Sequence, residues 1–264
     1  MNSGVDSFDG AAGMPAQATA SSASHFALAV PAGTQRALVR GWLVLGLLAL
    51  VGSGVFSVLL VLARTPGLNR WLPVGDFFRV ALVVHVDLSV LVWFVAIAGM
   101  LWSIGSRPVG TRAAWLALGL CGAGALAMAI APFAGGGEAI MANYIPVLAG
   151  PVFLGGLALF GLGGVVLVVR TLATAPALGP AFDGGGALRF GLNASAISAA
   201  VALLAFAASL ALTPAGLDGK AYYEILFWGG GHALQFAWTL LMLVAWLALA
   251  QACGGRVPLS PRVV

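Results

Sequence analysis

Charge is what this sequence has least of. Asp, Glu, Lys and Arg make up 8% of its 264 residues, 61% are hydrophobic, and mean hydropathy is +1.04. A soluble domain carries roughly a quarter charged residues and needs them to cover its surface. So little charge excludes a water-soluble globule and leaves lipid as the solvent. Cysteine is scarce too. Cys121 and Cys253 lie in different apolar runs, neither with a CxxC partner, which leaves no disulfide framework and no thiolate metal site. Cys121 reads as a small packing residue. Also missing are GxxxxGK[ST], GxSxG, HExxH and any pair of carboxylates within one apolar run, so the common nucleotide, esterase and zinc-protease motifs do not apply.

The net charge of +4 and the pI near 9.7 do not point to nucleic acid. The basic residues stand singly between apolar runs, where membrane topology puts them. Residues 1–35 are rich in Ala, Ser and Gly, carry Asp6 and Asp9, and contain no periodic apolar run; they are expected to be a disordered tail. No basic segment leads a short apolar one, so a secretory signal is not expected.

Residues 36–264 hold six apolar runs, near 40–63, 78–104, 112–132, 146–170, 189–212 and 222–250. Each is long enough for the roughly 20 residues of a spanning helix. The breaks carry turn chemistry, as in "RTPGLNRWLPVGD", "GSRPVGTR" and "FAGGGEAI". Runs of this length without period-two alternation fit helices and not barrel strands. The expected fold is therefore all-α: a polytopic membrane protein of six transmembrane helices. With the N-terminus inside, the inner ends hold Arg36, Arg40, Arg107, Arg112, Arg170, Arg189, Arg256 and Arg262. The outer ends then hold Arg64, Arg70, Arg79 and Lys220. That bias predicts cytoplasmic N- and C-termini. The six runs show no symmetry of the kind transporters display.

Against this apolar background two imidazoles stand out, with His25 left aside in the tail. His85 lies in the second helix, "FFRVALVVHVDLSVLVWFVAIAGMLW", and His232 in the sixth, "FWGGGHALQFAWTLLMLVAW". His85 is six residues past Arg79, about 9 Å at the helical rise, and His232 eight past Glu224, about 12 Å. Both helices enter from the outside in this topology, so the two rings share a level. A lone intramembrane histidine is as readily explained by a hydrogen bond across helices. Two at one level, with few other buried ionisable groups, favour ligation, since neutral imidazole binds metals and haem iron. Gly229, Gly230 and Gly231 would let a bulky group approach the sixth helix, or let a neighbouring helix pack closely. Asp87 points to another face than His85 and could bond a neighbouring helix, join a proton path, or reach water near the outer surface. Gln235, at i+3 from His232, could share its face. Tyr222, Tyr223 and Glu224 read as interfacial.

At these residues the sequence resembles subunit I of the haem-copper oxidase superfamily, including cytochrome c oxidase and the nitric oxide reductase large subunit. "FRVALVVHVDLSVLVWF" is similar to that family's second helix and "FWGGGHALQF" to its sixth. The resemblance implies that His85 is an axial ligand of a low-spin haem. It implies that His232 is a ligand of copper or non-haem iron, with Asp87, Gln235 and the three glycines in support. The tyrosine that follows the sixth-helix histidine by four residues in the large oxidase branch is Phe236 here. Leu234 and Gln235 occupy the place of that branch's glutamate, so the likeness leans to C-type oxidases and nitric oxide reductases. The family has twelve helices. By resemblance this chain is the N-terminal half, and a second chain or segment supplies helices seven to twelve with the remaining ligands. The implied function is a share in respiratory reduction of O2 or NO in a bacterial-type inner membrane. Electrons would come from a donor subunit or cytochrome c, and copper would bind only once the second half is present. Two alternatives stand beside it: a haem-binding electron-transfer or haem-handling protein without oxidase activity, and a structural or transport protein with no cofactor.

Overall fold

The computed structural model describes residues 25–72, 76–178, 182–214 and 216–263. Six helices are long and apolar enough to cross a bilayer: α1 Gly33–Arg64, α2 Phe77–Gly105, α3 Thr111–Phe133, α4 Pro151–Ala173, α5 Gly184–Leu212 and α6 Gly219–Ala252. The chain is an all-α, multi-pass membrane protein whose surroundings are the lipid bilayer. The helices pack mainly as three consecutive pairs, α1 with α2, α3 with α4, and α5 with α6. The second half of α2 also touches α4, α5 and α6, and α2 is the most enclosed of the six spans.

Close approach within the pairs rests on small residues, as membrane packing requires. A Cβ on Gly124 would lie 2.6 Å from the Gly156 carbonyl oxygen and the Phe160 nitrogen, so α3 and α4 touch backbone to backbone. Cys121 belongs to the same seam: its Sγ donates to the Phe160 carbonyl at 3.7 Å and sits over Gly163. Trp42 of α1 lies against Gly99 of α2. Trp102 ties α2 to α5 through an indole N–H donated to Ser195 Oγ at 2.9 Å. Asp183 and Asp218 cap α5 and α6, accepting from the backbone N–H of Gly186 (2.7 Å) and Ala221 (2.9 Å).

Two expectations are corrected. The fourth helix begins at Pro151 and not at 146. Val147–Ala149 instead pair antiparallel with Glu138–Ile140, Ile140 opposite Val147, as a two-stranded hairpin β1–β2. Gly150 is extended (φ −133°) ahead of Pro151, whose fixed φ and missing N–H suit the first helical position. Gly137, at φ +93°, lies too close to Ala149 and Gly150 for any side chain. The second correction concerns the tail. Residues 1–24 lie outside the described residues, but from His25 onward the chain is docked. Phe26 is fully buried and donates its N–H to Gln251 Oε1 at 3.3 Å. The His25 carbonyl lies against Gly184, and residues 33–35 already belong to α1.

Candidate functional site

α2 is not a uniform α-helix. Phe77–Val86 and Trp93–Gly105 are α-helical, and Asp87–Val92 between them form a π-helical turn. Such turns occur mostly as single insertions and often at functional sites. Here the turn begins two residues after His85 and packs on α1 and α3.

His85 is held from α1. Its Nδ1 lies 3.0 Å from the Ser53 carbonyl oxygen, an acceptor that favours the tautomer with the proton on Nδ1. Ser53 Oγ is 2.9 Å and Ser57 Oγ 3.1 Å from the same nitrogen. The His85 carbonyl accepts from the hydroxyls of Ser53 (3.0 Å) and Ser89 (2.7 Å). The ring is thereby held through Nδ1, and Nε2 has no hydrogen-bond partner among the described residues. An imidazole anchored through Nδ1 with Nε2 free is the arrangement of a metal-ligating histidine. Ser53 and Ser57 are therefore site residues that the sequence reading passed over. Their i, i+4 spacing inside the first apolar run was the signal that could have found them.

Asp87, two residues on, is 1% exposed, and neither carboxylate oxygen has a hydrogen-bond partner among the described residues. Access to surface water, one of the expected roles, is thus ruled out. A bond to a neighbouring helix is not formed either.

His232 has different neighbours. It is exposed on α6, and the Tyr144 hydroxyl lies 2.6 Å from its Nδ1 and 3.1 Å from its Nε2. The Trp228 carbonyl oxygen is 3.1 Å from Nδ1. Tyr144 comes from the β1–β2 hairpin loop and sits at φ +60°, a left-handed conformation that costs a non-glycine residue about 1–3 kcal/mol. Next to it Asn143 donates its backbone N–H (3.1 Å) and side-chain amide (3.0 Å) to Glu224. The glycines before His232 are accounted for by this packing. Gly231 lies under the Tyr144 ring and Gly230 under Phe206, while Gly229 has only Ala205 Cβ at 3.8 Å. Gln235 is exposed on the same stripe of α6 as His232.

α2 and α6 do meet, where Phe94 stacks on Trp238 with centroids 5.4 Å apart. His85 precedes Phe94 and His232 precedes Trp238, so both histidines lie toward the same end of the bundle. No hydrogen bond or ring contact joins them: one ring turns to α1, the other to the hairpin loop. Of the residues present, His85 alone would be able to hold a haem iron, through Nε2. They do not fit copper, because no three His, Cys, Asp or Glu side chains come together among the described residues and His232 stands alone.

The sequence matches no protein-family profile and no solved structure. It is similar to an uncharacterised protein of Rickettsia prowazekii (strain Madrid E), 29% identical over 246 residues that cover 80% of this chain and 46% of the relative. It is also similar to an uncharacterised protein of Aquifex aeolicus (strain VF5), 33% identical over 208 residues that cover 79% of this chain and 52% of the relative. The chain spans about half the length of the curated relatives it matches.

Proposed function

We propose that this chain is one half, the N-terminal one, of a haem-copper oxidase-like subunit I in a bacterial-type inner membrane. The complete assembly would reduce O2 or NO with electrons from a donor subunit or cytochrome c. The observation that carries the reading is the anchoring of His85: the Ser53 carbonyl favours the proton on Nδ1, and Nε2 has no hydrogen-bond partner among the described residues and would bind iron. Haem held there supplies one-electron transfer. Relatives that extend well beyond the matched region support further protein that would provide a second haem ligand and the ligands missing around His232. Within this chain, Ser53 and Ser57 orient the His85 ring, and Asp87 places an ionisable group about half a turn deeper, where such groups are rare and usually functional. His232 and Gln235 face outward on α6, in position to meet that second half.

One observation favours the narrower reading of haem binding without copper. Both His232 nitrogens lie within hydrogen-bonding distance of Tyr144, so in this chain the ring serves as an anchor. The reduced-minus-oxidised visible spectrum of the detergent-purified chain, beside a His85→Ala variant, tests both readings. Haem bands that vanish in the variant support His85 as the ligand. Copper bound only when the second half of a longer relative is co-produced, and lost in His232→Ala, selects the oxidase reading. Absence of haem from the chain, with and without that second half, overturns both.

A further inference from the structure

At the end of the bundle away from the two histidines, three arginines converge without a paired carboxylate among the described residues. Arg107, just past α2, donates its backbone N–H to the Thr174 carbonyl (3.0 Å) and Nη2 to the Ala173 carbonyl (3.2 Å) at the end of α4. Arg170 of α4 reaches the other way, donating Nη1 to Ser106 Oγ (2.7 Å) and Nη2 to the Val109 carbonyl (3.2 Å) beyond the end of α2. The two guanidiniums thus cover each other's helix C-termini, where carbonyl groups and the helix dipole favour cations. Arg170 is only 5% exposed, and its Nε has no hydrogen-bond partner among the described residues.

Arg189 is surplus to that arrangement. It stands in the second turn of α5, near a helix N-terminus that favours anions. Its one hydrogen bond within the described residues is a long one, Nη2 to the Leu178 carbonyl at 3.4 Å, and its buried Nε has no partner. The nearest acid along the chain, Asp183, is engaged in capping α5. Among the described residues the one ion pair of the molecule is Arg79 with Asp76, elsewhere. Arg189 lines a shallow, half-open recess whose enclosed part holds no more than a water molecule, with Trp102, Ser106 and Asn193 among its walls. The Ser106 hydroxyl is held by Arg170, and Asn193 uses one amide hydrogen on the Pro176 carbonyl (3.2 Å), keeping the other free. Gly105 and Thr171, also in the wall, are at or near the last residues of their spans, so the recess lies at headgroup level.

We propose that a phosphate of an anionic phospholipid docks at the open mouth of this recess, with Arg189 as its principal cation and Ser106 and Asn193 as hydrogen-bond donors. Cationic pockets between spanning helices at headgroup depth take such lipids, and a guanidinium fork suits phosphate oxygens. The full chain in neutral detergent is titrated with dioctanoyl phosphatidylglycerol, dioctanoyl phosphatidylcholine and inorganic phosphate, with thermal unfolding as the readout. Phosphatidylglycerol is expected to bind and stabilise the wild type and Arg256→Gln alike. It is expected to bind Arg189→Gln about tenfold or more weakly, the worth of one charge-assisted hydrogen bond. Asn193→Asp, which sets a carboxylate beside the guanidinium, abolishes binding and decides the matter if Arg189→Gln does not fold. Equal binding of phosphatidylcholine, or no change in the folded variants, overturns the site. Inorganic phosphate binding as tightly as the lipid overturns its assignment to a headgroup.

Discussion

At the scale of single residues, a glycine matters most where backbone lies against it. Alanine at Gly124 would force its Cβ into the Gly156 carbonyl and the Phe160 nitrogen, neither of which can rotate away as a side chain would. Overpacking of this kind costs about 1–3 kcal/mol. Gly119, on the same helix with nothing within 4 Å, should instead gain up to about 1 kcal/mol as alanine from helix propensity alone. Equilibrium unfolding of the two variants in mixed micelles separates these outcomes, and equal stability would contradict the backbone contact of α3 and α4. Asp87 makes the opposite case. A buried carboxyl group with no partner costs desolvation that an apolar side chain of similar shape does not, so Asp87→Leu should stabilise the chain by about 1–3 kcal/mol. That a residue so placed lowers stability is what a functional position in the membrane looks like. A destabilised Asp87→Leu would show instead that the carboxyl is satisfied in the folded protein.

At the scale of elements, the hairpin loop is fastened to α6 by two links, Asn143 to Glu224 and Tyr144 to His232. Tyr144 holds a left-handed backbone, which persists only where its surroundings fix it. Removing its hydroxyl in Tyr144→Phe should cost about 0.5–1.5 kcal/mol and raise hydrogen exchange through residues 138–149 while leaving α3 and α4 protected. Unchanged exchange there would mean that ring packing on Gly231, not the hydroxyl, holds the loop. This link also marks where sequence reading stopped. The six spans were legible because unbroken apolar runs admit one solution in lipid, and their ends fell within a few residues of Pro151, Asp183 and Asp218. The hairpin was not, because "EAI" and "VLA" are too short to show alternation, and Val147–Ala149 merge into the apolar run that follows. The π-turn left no mark either, since Asp87–Val92 has the composition of any polar-spotted helix. His85 and His232 were visible as ionisable groups at membrane depth, but their partners were not. Ser53 and Tyr144 lie 32 and 88 positions away, and only packing brings them near.

At the scale of the whole molecule, the outer face of α6 does not match its surroundings. It is the least enclosed of the six spans, and His232, Gln235 and Thr239 stand exposed along one side of it, flanked by Trp228 and Phe236. Thr239 satisfies its hydroxyl on the Gln235 carbonyl at 2.8 Å, but the Gln235 amide has no hydrogen bond among the described residues. An amide facing hydrocarbon is unfavourable, and hydrogen bonds between membrane helices are worth about 0.6–2 kcal/mol each. α1 differs: its exposed side chains, Leu43, Val44, Leu47, Leu48, Val51 and Val55, are what lipid accepts. Of these two faces, α6 is the one built to be covered. The relatives extend well beyond the matched region, and the reading proposed above sets that extension against α6. A nitroxide at Gln235→Cys, in a Cys253→Ser background that removes the exposed thiol and keeps the buried Cys121, should be mobile when the chain is reconstituted alone. It should become immobilised when the second half of a longer relative is co-produced. A nitroxide at Leu48→Cys should stay mobile in both preparations. Immobilisation at residue 48 and not at 235 would place the second half against α1 and leave the polar stripe of α6 facing lipid, which would remove the argument that His232 awaits ligands from that side.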